Sequence, residues 1–273
     1  MTILSLILII LLKNIISAHW INQKKIAIRK KINLFNQNIN ILFLKVTALS
    51  IFYLIMNILL QQSWQGKLIF LFLSIFIGLF IFNHQRQKNI IKKYLEHAQK
   101  NNIQTCFMYA TKMNPKININ QENTEQLGEE MSLSIIYMHY IYLFVPFLYF
   151  IIDPALSLFY LFCILISQEY QKKQLKLPQY IYTLKTYLHF PTIRIYLFLC
   201  MLLGHVKYPL LQFLQSLLQP IHPDTFLHKY ITLCDDNLIC HQNSLIDPVL
   251  KAQDTLTRIN YLSLLSITLM MIL

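Results

Sequence analysis

The sequence predicts an all-α fold, a polytopic membrane helical bundle with cytosolic amphipathic helices. Of its 273 residues, 55% are hydrophobic and only 13% are charged, whereas a soluble domain carries about 25% charged residues. The hydrophobic residues form continuous runs, several of them close to the roughly 20 residues that a helix needs to cross a bilayer. The chain has four glycines, which excludes glycine-rich phosphate-binding loops. These observations predict a single membrane domain over residues 1–273.

Residues 41–82 predict a transmembrane hairpin of two helices. Its apolar legs, residues 41–60 and 68–82, are joined by a short polar turn that contains Trp64. Tryptophan is typical of the membrane–water interface, and cytoplasmic loops are enriched in Lys and Arg. Cations flank the hairpin on both sides: Lys24, Lys25, Arg29, Lys30 and Lys31, then Arg86, Lys88, Lys92 and Lys93. Both flanks are therefore predicted to be cytoplasmic, and the short apolar stretch 1–12 is predicted to be a retained helix.

Residues 84–133 predict a cytosolic helical segment, because no apolar run there exceeds a few residues. Three glutamates near its end, Glu125, Glu129 and Glu130, are candidate ligand-binding or signalling residues. The i, i+4 spacing of Glu125 and Glu129 is also typical of a solvated helix face. Both interpretations fit the pattern.

Residues 135–167 form an apolar stretch longer than one ordinary span, interrupted at Asp153-Pro154. Two crossings would keep the following lysines in the cytoplasm, whereas a single long kinked helix also fits. Asp153 is a candidate functional residue because ionisable groups between apolar runs are often functional, although Asp-Pro is common in turns. His139, in a stretch rich in Tyr and Met, is a further candidate, either as a proton relay or as a packing residue.

The C-terminal part predicts three segments: interfacial or packed helices over 180–218, a polar cytosolic segment over 219–258 and a transmembrane anchor over 259–273. Arg194 opens an apolar helix, where a cation must either pair with an acid or extend to lipid phosphate. The acids available for pairing are the candidates named above, Glu129, Glu130 and Asp153. Arg194 is therefore the remaining candidate ligand-binding or signalling residue.

Motif searches predict no catalytic residue, no metal site and no cofactor. The nine histidines and five cysteines form no H-E-x-x-H motif and no zinc-type spacing, and G-x-S-x-G is absent. The formal net charge of +12 is assigned to anionic membrane lipids, because no basic domain with interleaved aromatics is present to bind nucleic acid. Membrane lipids are thus predicted partners and nucleic acid is not.

Several short motifs occur in order along nearly the whole chain. They are His19-Trp20, Tyr94-Leu95-Glu96-His97-Ala98, Val145-Pro146-Phe147-Leu148-Tyr149, Phe190-Pro191-Thr192-Ile193-Arg194 and Leu203-Gly204-His205. Their order and spacing resemble the AmpE family of inner-membrane proteins associated with induction of chromosomal β-lactamase. That family is distantly similar to the CobD/CbiB membrane proteins of cobalamin synthesis.

The resemblance implies a multi-pass regulatory or sensory protein of the bacterial inner membrane, linked to β-lactamase induction and muropeptide recycling. It implies that a cytosolic muropeptide amidase, or a muropeptide ligand, contacts segments 84–133 and 219–258. Where the family often carries acids, this chain has Lys13 and His189, which favours regulation over catalysis. The alternatives are a CobD/CbiB-like membrane amide-forming enzyme and a small membrane transporter.

Overall fold

A computed structural model describes Ile9 and residues 64–82, 85–113, 124–172, 177–203 and 245–272. Within these ranges every regular element is a helix, which confirms the predicted all-α class. The elements are α1 (Trp64–Phe82), α2 (Gln85–Ala98), α3 (Ile103–Met113), α4 (Thr124–His139), a π-helix (Tyr140–Phe144), α5 (Val145–Ile152), α6 (Pro154–Lys172), α7 (Gln179–Leu202) and α8 (Asp247–Ile272).

Several predicted features lie outside the described residues. They include the N-terminal helix apart from Ile9, the first leg of the predicted hairpin at 41–60, and residues 204–244 of the two predicted C-terminal segments. The backbone of Glu125 belongs to α4, but its side chain is outside the described part of the chain.

The chain divides into two compact units. One comprises residues 1–85 and 141–188, and the other comprises residues 86–140 and 189–273. The divisions fall after Tyr140, where α4 gives way to the π-helix, and after Leu188 inside α7. Two continuous helical stretches therefore contribute to both units.

In the first unit, α1 and α5 both pack against α6. Buried aliphatic side chains of α1, Leu71 and Ile75 among them, form one core cluster with Ile9 and with Phe150 of α5. Gly78 of α1 lies under this cluster, where an added Cβ would collide with Ile9 and come within 3.3 Å of Phe150. The absence of a side chain at this position is what allows the two neighbours to approach the α1 backbone.

Among the described helices, one is long and apolar enough to cross a membrane. It runs for 27 residues from Gln126 to Ile152 and includes the π-helix. Pro146 follows that π-helix by two residues, and its ring has no N–H to bond the carbonyl of Tyr142 one turn earlier. A widened turn before a proline relieves the clash with that carbonyl, which gives the π-helix a local cause.

The predicted interruption at Asp153-Pro154 is a helix boundary. Asp153 has extended backbone dihedrals, and its Oδ1 accepts a hydrogen bond of 2.6 Å from the N–H of Ala155. Asp153 is thus the N-cap of α6, with Pro154 at the first helical position, where a missing N–H has no cost. Across this break α5 packs against α6.

In the second unit, α4 packs against both α3 and α8. Helices α2 and α3 form a hairpin whose turn is capped at both ends. Asn101 adopts φ of 52°, and the N–H of Asn102 bonds the carbonyl of His97 at 3.1 Å, which ends α2 in the manner of a Schellman turn. The Asn102 side chain then accepts the N–H of Thr105 and begins α3.

The buried side of this hairpin contacts the segment that leads into α8. The Tyr94 hydroxyl of α2 donates to the backbone carbonyl of Leu245 at 3.3 Å, and Cys106 of α3 lies against the Tyr94 carbonyl. Burial raises the pKa of the Cys106 thiol to about 11, so this free thiol is uncharged at neutral pH. Helix α8 itself is continuous across the predicted boundary between 219–258 and 259–273.

The cap at Asp153 provides a stability test of this candidate residue. Asp153→Ala removes the acceptor for the Ala155 N–H and is expected to lower the free energy of unfolding by about 1 kcal/mol. Asp153→Asn keeps an acceptor at the same position and is expected to stay close to wild type. Denaturant titration of the purified protein in detergent measures both, and equal losses for the two variants would show that the carboxylate charge matters beyond capping.

Candidate functional site

The second unit contains a group of polar side chains supplied by three helical segments, of which His139 and Asn260 are half-buried and the others are buried. Tyr140 follows α4 directly, His189, Thr192 and Tyr196 lie on α7, and His139 and Asn260 come from the end of α4 and from α8. We call these six residues the tyrosine–histidine cluster. Tyr140 and Tyr196 are fully buried, and His189 and Thr192 are 1% and 3% exposed.

One half of the cluster is centred on the Tyr140 hydroxyl. This oxygen lies 2.9 Å from Thr192 Oγ1 and 3.1 Å from His189 Nδ1. The Thr192 and Tyr140 hydroxyls lie 3.2 Å and 3.4 Å from the His189 carbonyl, to which either can donate. The direction of the Tyr140–Thr192 bond therefore depends on the tautomer of His189.

The other half of the cluster is centred on His139. Its Nε2 lies 3.0 Å from Asn260 Oδ1, which can only accept, so Nε2 carries the proton. Nδ1 is then free to accept from the Tyr196 hydroxyl, which lies 3.4 Å away. His139 is thus held between a donor on α7 and an acceptor on α8.

Ring contacts join the two halves. The ring centroids of Tyr140 and Tyr196 are 5.1 Å apart at an interplanar angle of 59°, a favourable tilted geometry. Tyr140 and His189 are 5.5 Å apart by the same measure. In their neutral forms the six side chains carry no charge, so the cluster offers directional hydrogen bonds rather than an electrostatic binding pocket.

Polar side chains of the cluster contact the backbone of α7 close to Pro191. A proline inside a helix removes one backbone donor and strains the turn before it. Around this position the carbonyl of His189 accepts the Thr192 hydroxyl, and the Tyr140 hydroxyl lies 3.4 Å from the same oxygen. The carbonyl that lacks its helical N–H partner because of Pro191 is that of Tyr187, four residues earlier.

Arg194 lies on α7 between Thr192 and Tyr196 of the cluster. Its guanidinium stacks over the Phe190 ring at 3.4 Å from the centroid and donates to the Phe190 carbonyl. Both contacts are with its own helix, one turn earlier. The pairing of Arg194 with an acid stays a prediction.

The structure separates the remaining candidates. Glu129 is exposed and Glu130 half-buried on α4, in the same unit as His139 and Arg194. Asp153 belongs to the other unit, where it caps α6. Among the described residues, no group of three or more His, Cys, Asp or Glu side chains could hold a metal ion. Of the six candidates, His139 alone is a member of the tyrosine–histidine cluster.

Sequence reasoning did not identify the partners of His139. Asn260 is 121 residues away along the chain and Tyr196 is 57 away. Thr192 lies inside the motif Phe190-Pro191-Thr192-Ile193-Arg194 of the family resemblance. Tyr196 lies two residues after this motif, and His189 directly precedes it. Their position next to Pro191 was the sequence signal that could have identified these residues. Thr192 and Tyr196 follow this proline at i, i+4 spacing, and so share one face of the helix.

The Tyr140–Thr192 bond can be measured with a double-mutant cycle. Tyr140→Phe and Thr192→Val each remove one partner of this buried bond, and each is expected to destabilise the protein by about 1–3 kcal/mol. Because both remove the same bond, the double variant should lose less than the sum, with a coupling of about 0.5–3 kcal/mol. Denaturant titration in detergent gives the four free energies.

The control for this cycle is Tyr94→Phe combined with Thr192→Val. Tyr94 bonds the carbonyl of Leu245 and does not bond Thr192, so those two losses should add. Additivity in the Tyr140 cycle as well would show that the Tyr140–Thr192 bond does not contribute to stability.

Comparison with known proteins adds one match. The model of the AmpE family, described as "Regulatory signalling modulator protein AmpE", matches residues 1–224. The search of curated proteins and the search of solved structures return no match. The family match and the apolar helix Gln126–Ile152 together favour a membrane protein. Because the match covers more than half of the sequence, the chain belongs to the AmpE family of regulatory signalling modulators.

Proposed function

We propose that the chain is a multi-pass regulatory protein of the bacterial inner membrane that links cell-wall muropeptide recycling to β-lactamase induction. The observation that carries this proposal is the family match over residues 1–224. The expected partner is a cytosolic muropeptide amidase, and the expected signal is a muropeptide. In this reading the chain transmits information rather than catalysing a reaction.

The two faces of α7 support a membrane environment. Its buried face holds His189, Thr192 and Tyr196, whereas Ile195, Phe198 and Leu202 are 46%, 47% and 58% exposed. The exposed residues follow i, i+3, i+7 spacing and so share one side of the helix. Ile193, Leu197 and Cys200 are buried beside these polar groups. A row of large apolar side chains on the exposed side is unusual for a soluble helix, and lipid is the solvent that favours it.

Other helices support a polytopic bundle over a single span. Helix α5 ends at Asp153 and α6 packs back against it, as two crossings over residues 135–167 would require. The exposed face of α8 also carries large apolar side chains, with Leu265 at 59% and Tyr261 at 69%. Together with the apolar α1, these helices are proposed to form the membrane domain.

The tyrosine–histidine cluster is proposed as the element that responds to the signal. It joins three helices through bonds that each require a specific side-chain orientation. In an apolar interior a broken bond is costly unless another partner replaces it, so such a network favours discrete arrangements over gradual deformation. A ligand or partner shifts the balance between two arrangements only if it binds one of them more tightly.

Arg194 and the glutamates of α4 are proposed to couple this cluster to the cytosolic side. Arg194 is two residues from both Thr192 and Tyr196 on α7, and Glu129 and Glu130 lie on the helix that ends at His139. Exchange of the guanidinium between the Phe190 ring and a glutamate would move α7 relative to α4. Binding of the amidase or the muropeptide near the α4 glutamates would bias that exchange.

The test is deletion of the gene followed by β-lactam challenge, with muropeptides quantified by mass spectrometry. We expect deletion to change both β-lactamase induction and muropeptide pools. Complementation with Tyr187→Phe, which removes a hydroxyl from a tyrosine that is 72% exposed on α7, should restore both. Complementation with Tyr140→Phe at equal membrane abundance should not, because it removes the central hydroxyl of the cluster.

Two results would contradict the proposal in different ways. Unchanged induction and unchanged muropeptides after deletion would remove the link to β-lactamase and cell-wall recycling. Full restoration by Tyr140→Phe would keep that link but show that the tyrosine–histidine cluster is not the responding element.

A further inference from the structure

Helix α2 has a basic face that the proposed function does not use. Lys88, Lys92 and Lys93 are exposed on one side of the helix, and Ile91, Tyr94 and Ala98 are buried on the other. Glu96 shares the exposed side and lies 3.9 Å from Lys92. With three cations against one acid, the face keeps a net positive charge.

The packing of α2 leaves this basic face outward. The opposite face is held in the second unit by the bond of Tyr94 to Leu245 and by Cys106 of α3. The Lys92 and Glu96 side chains are 78% and 54% exposed, so their mutual pairing contributes little to stability. These lysines are therefore available to an external anionic surface.

The position of α2 in the chain indicates which anionic surface this is. Two residues separate Phe82, the last residue of α1, from Gln85, the first of α2. Residues 68–82 carry no charged side chain, as expected for a helix that ends at a membrane surface. Lys88 to Lys93 follow that end by 6 to 11 residues in the sequence, and lysines immediately after a membrane helix attract anionic lipids.

We propose that the exposed basic face of α2, formed by Lys88, Lys92 and Lys93, binds anionic phospholipid headgroups. The inference rests on the proposed membrane location of α1. The interaction is electrostatic, because the apolar face of α2 is already packed within the protein and is not available for insertion. It would hold the α2–α3 hairpin against the membrane surface in a way that depends on lipid composition and ionic strength.

The experiment compares lysine reactivity of the full-length protein in two kinds of nanodisc. One contains phosphatidylcholine only, and the other contains equal parts of phosphatidylcholine and phosphatidylglycerol. An amine-reactive ester labels exposed lysines, and mass spectrometry quantifies Lys92 and Lys93 against Lys112. Lys112 is also exposed and lies on α3, outside the basic face, so it is the internal reference.

We expect anionic discs to lower the labelling of Lys92 and Lys93 relative to Lys112 by roughly fivefold, the change that corresponds to about 1 kcal/mol per lysine at an anionic surface. High salt should restore the ratio because it screens the attraction. An equal ratio in both discs would overturn the proposal. Protection in neutral discs by added inorganic phosphate would also overturn it, since a free anion would then be the ligand.

A separate measurement distinguishes failure of this inference from failure of the membrane proposal. Cell membranes that contain the protein are extracted with alkaline carbonate, which removes peripheral proteins and leaves integral ones. Retention with an unchanged labelling ratio would overturn only the role of α2. Release of the protein by carbonate would overturn the membrane location, and the α2 proposal with it.

Discussion

Burial of the Tyr140 hydroxyl constrains how the helices of the second unit meet. Its ring is fully buried, and a phenolic hydroxyl without a partner in such surroundings would cost a large part of a hydrogen bond's energy. The hydroxyl satisfies this requirement on α7, at Thr192 and His189. These two bonds hold the Pro191 region of α7 against the end of α4. Tyr196, one helical turn after Thr192 on α7, then lies within hydrogen-bond distance of His139.

Two backbone irregularities, the π-helix and Pro191, lie next to residues of the tyrosine–histidine cluster. The π-helix begins at Tyr140 itself, five residues before the start of α5, a regular helix that contains Pro146 near its start. Pro191 interrupts the backbone bonding of α7 between His189 and Thr192, two cluster residues. π-turns and prolines are the common causes of bends in apolar helices, and π-turns are frequent at functional sites. The π-helix lies within the one described helix that is apolar and long enough to cross a membrane, and Pro191 lies on α7, whose cluster residues contact Tyr140 of that helix.

Local sequence patterns were sufficient for the helical class and for several boundaries. The Asp153-Pro154 break is a consequence of residues next to each other in the chain, and so was predictable as a turn. The interpretation of Arg194 as a cation that must find a partner was local as well, and the structure adds Phe190 one turn away. Such features depend only on residues within about one helical turn of each other, and these residues are visible in a local sequence pattern.

The tyrosine–histidine cluster could not be predicted in the same way. His139 was a candidate because a histidine in an apolar aromatic helix is unusual, but its bond to Asn260 spans 121 residues of sequence. Asn260 lies in what the sequence indicated as the start of an anchor, and α8 shows no break there. Pairing between helices depends on packing angles and on irregular turns, and neither has a periodic signature.

The most direct test of this account is the protonation state of the His139 ring in the intact protein. Nitrogen NMR of the full-length chain with 15N-labelled histidine, assigned by comparison with His139→Asn, distinguishes the two ring nitrogens. The contacts of His139 predict a single neutral tautomer with the proton on Nε2, donated to Asn260, and an unprotonated Nδ1 that accepts from Tyr196. A ring that averages between tautomers, or one protonated on Nδ1 alone, would contradict the arrangement of the cluster.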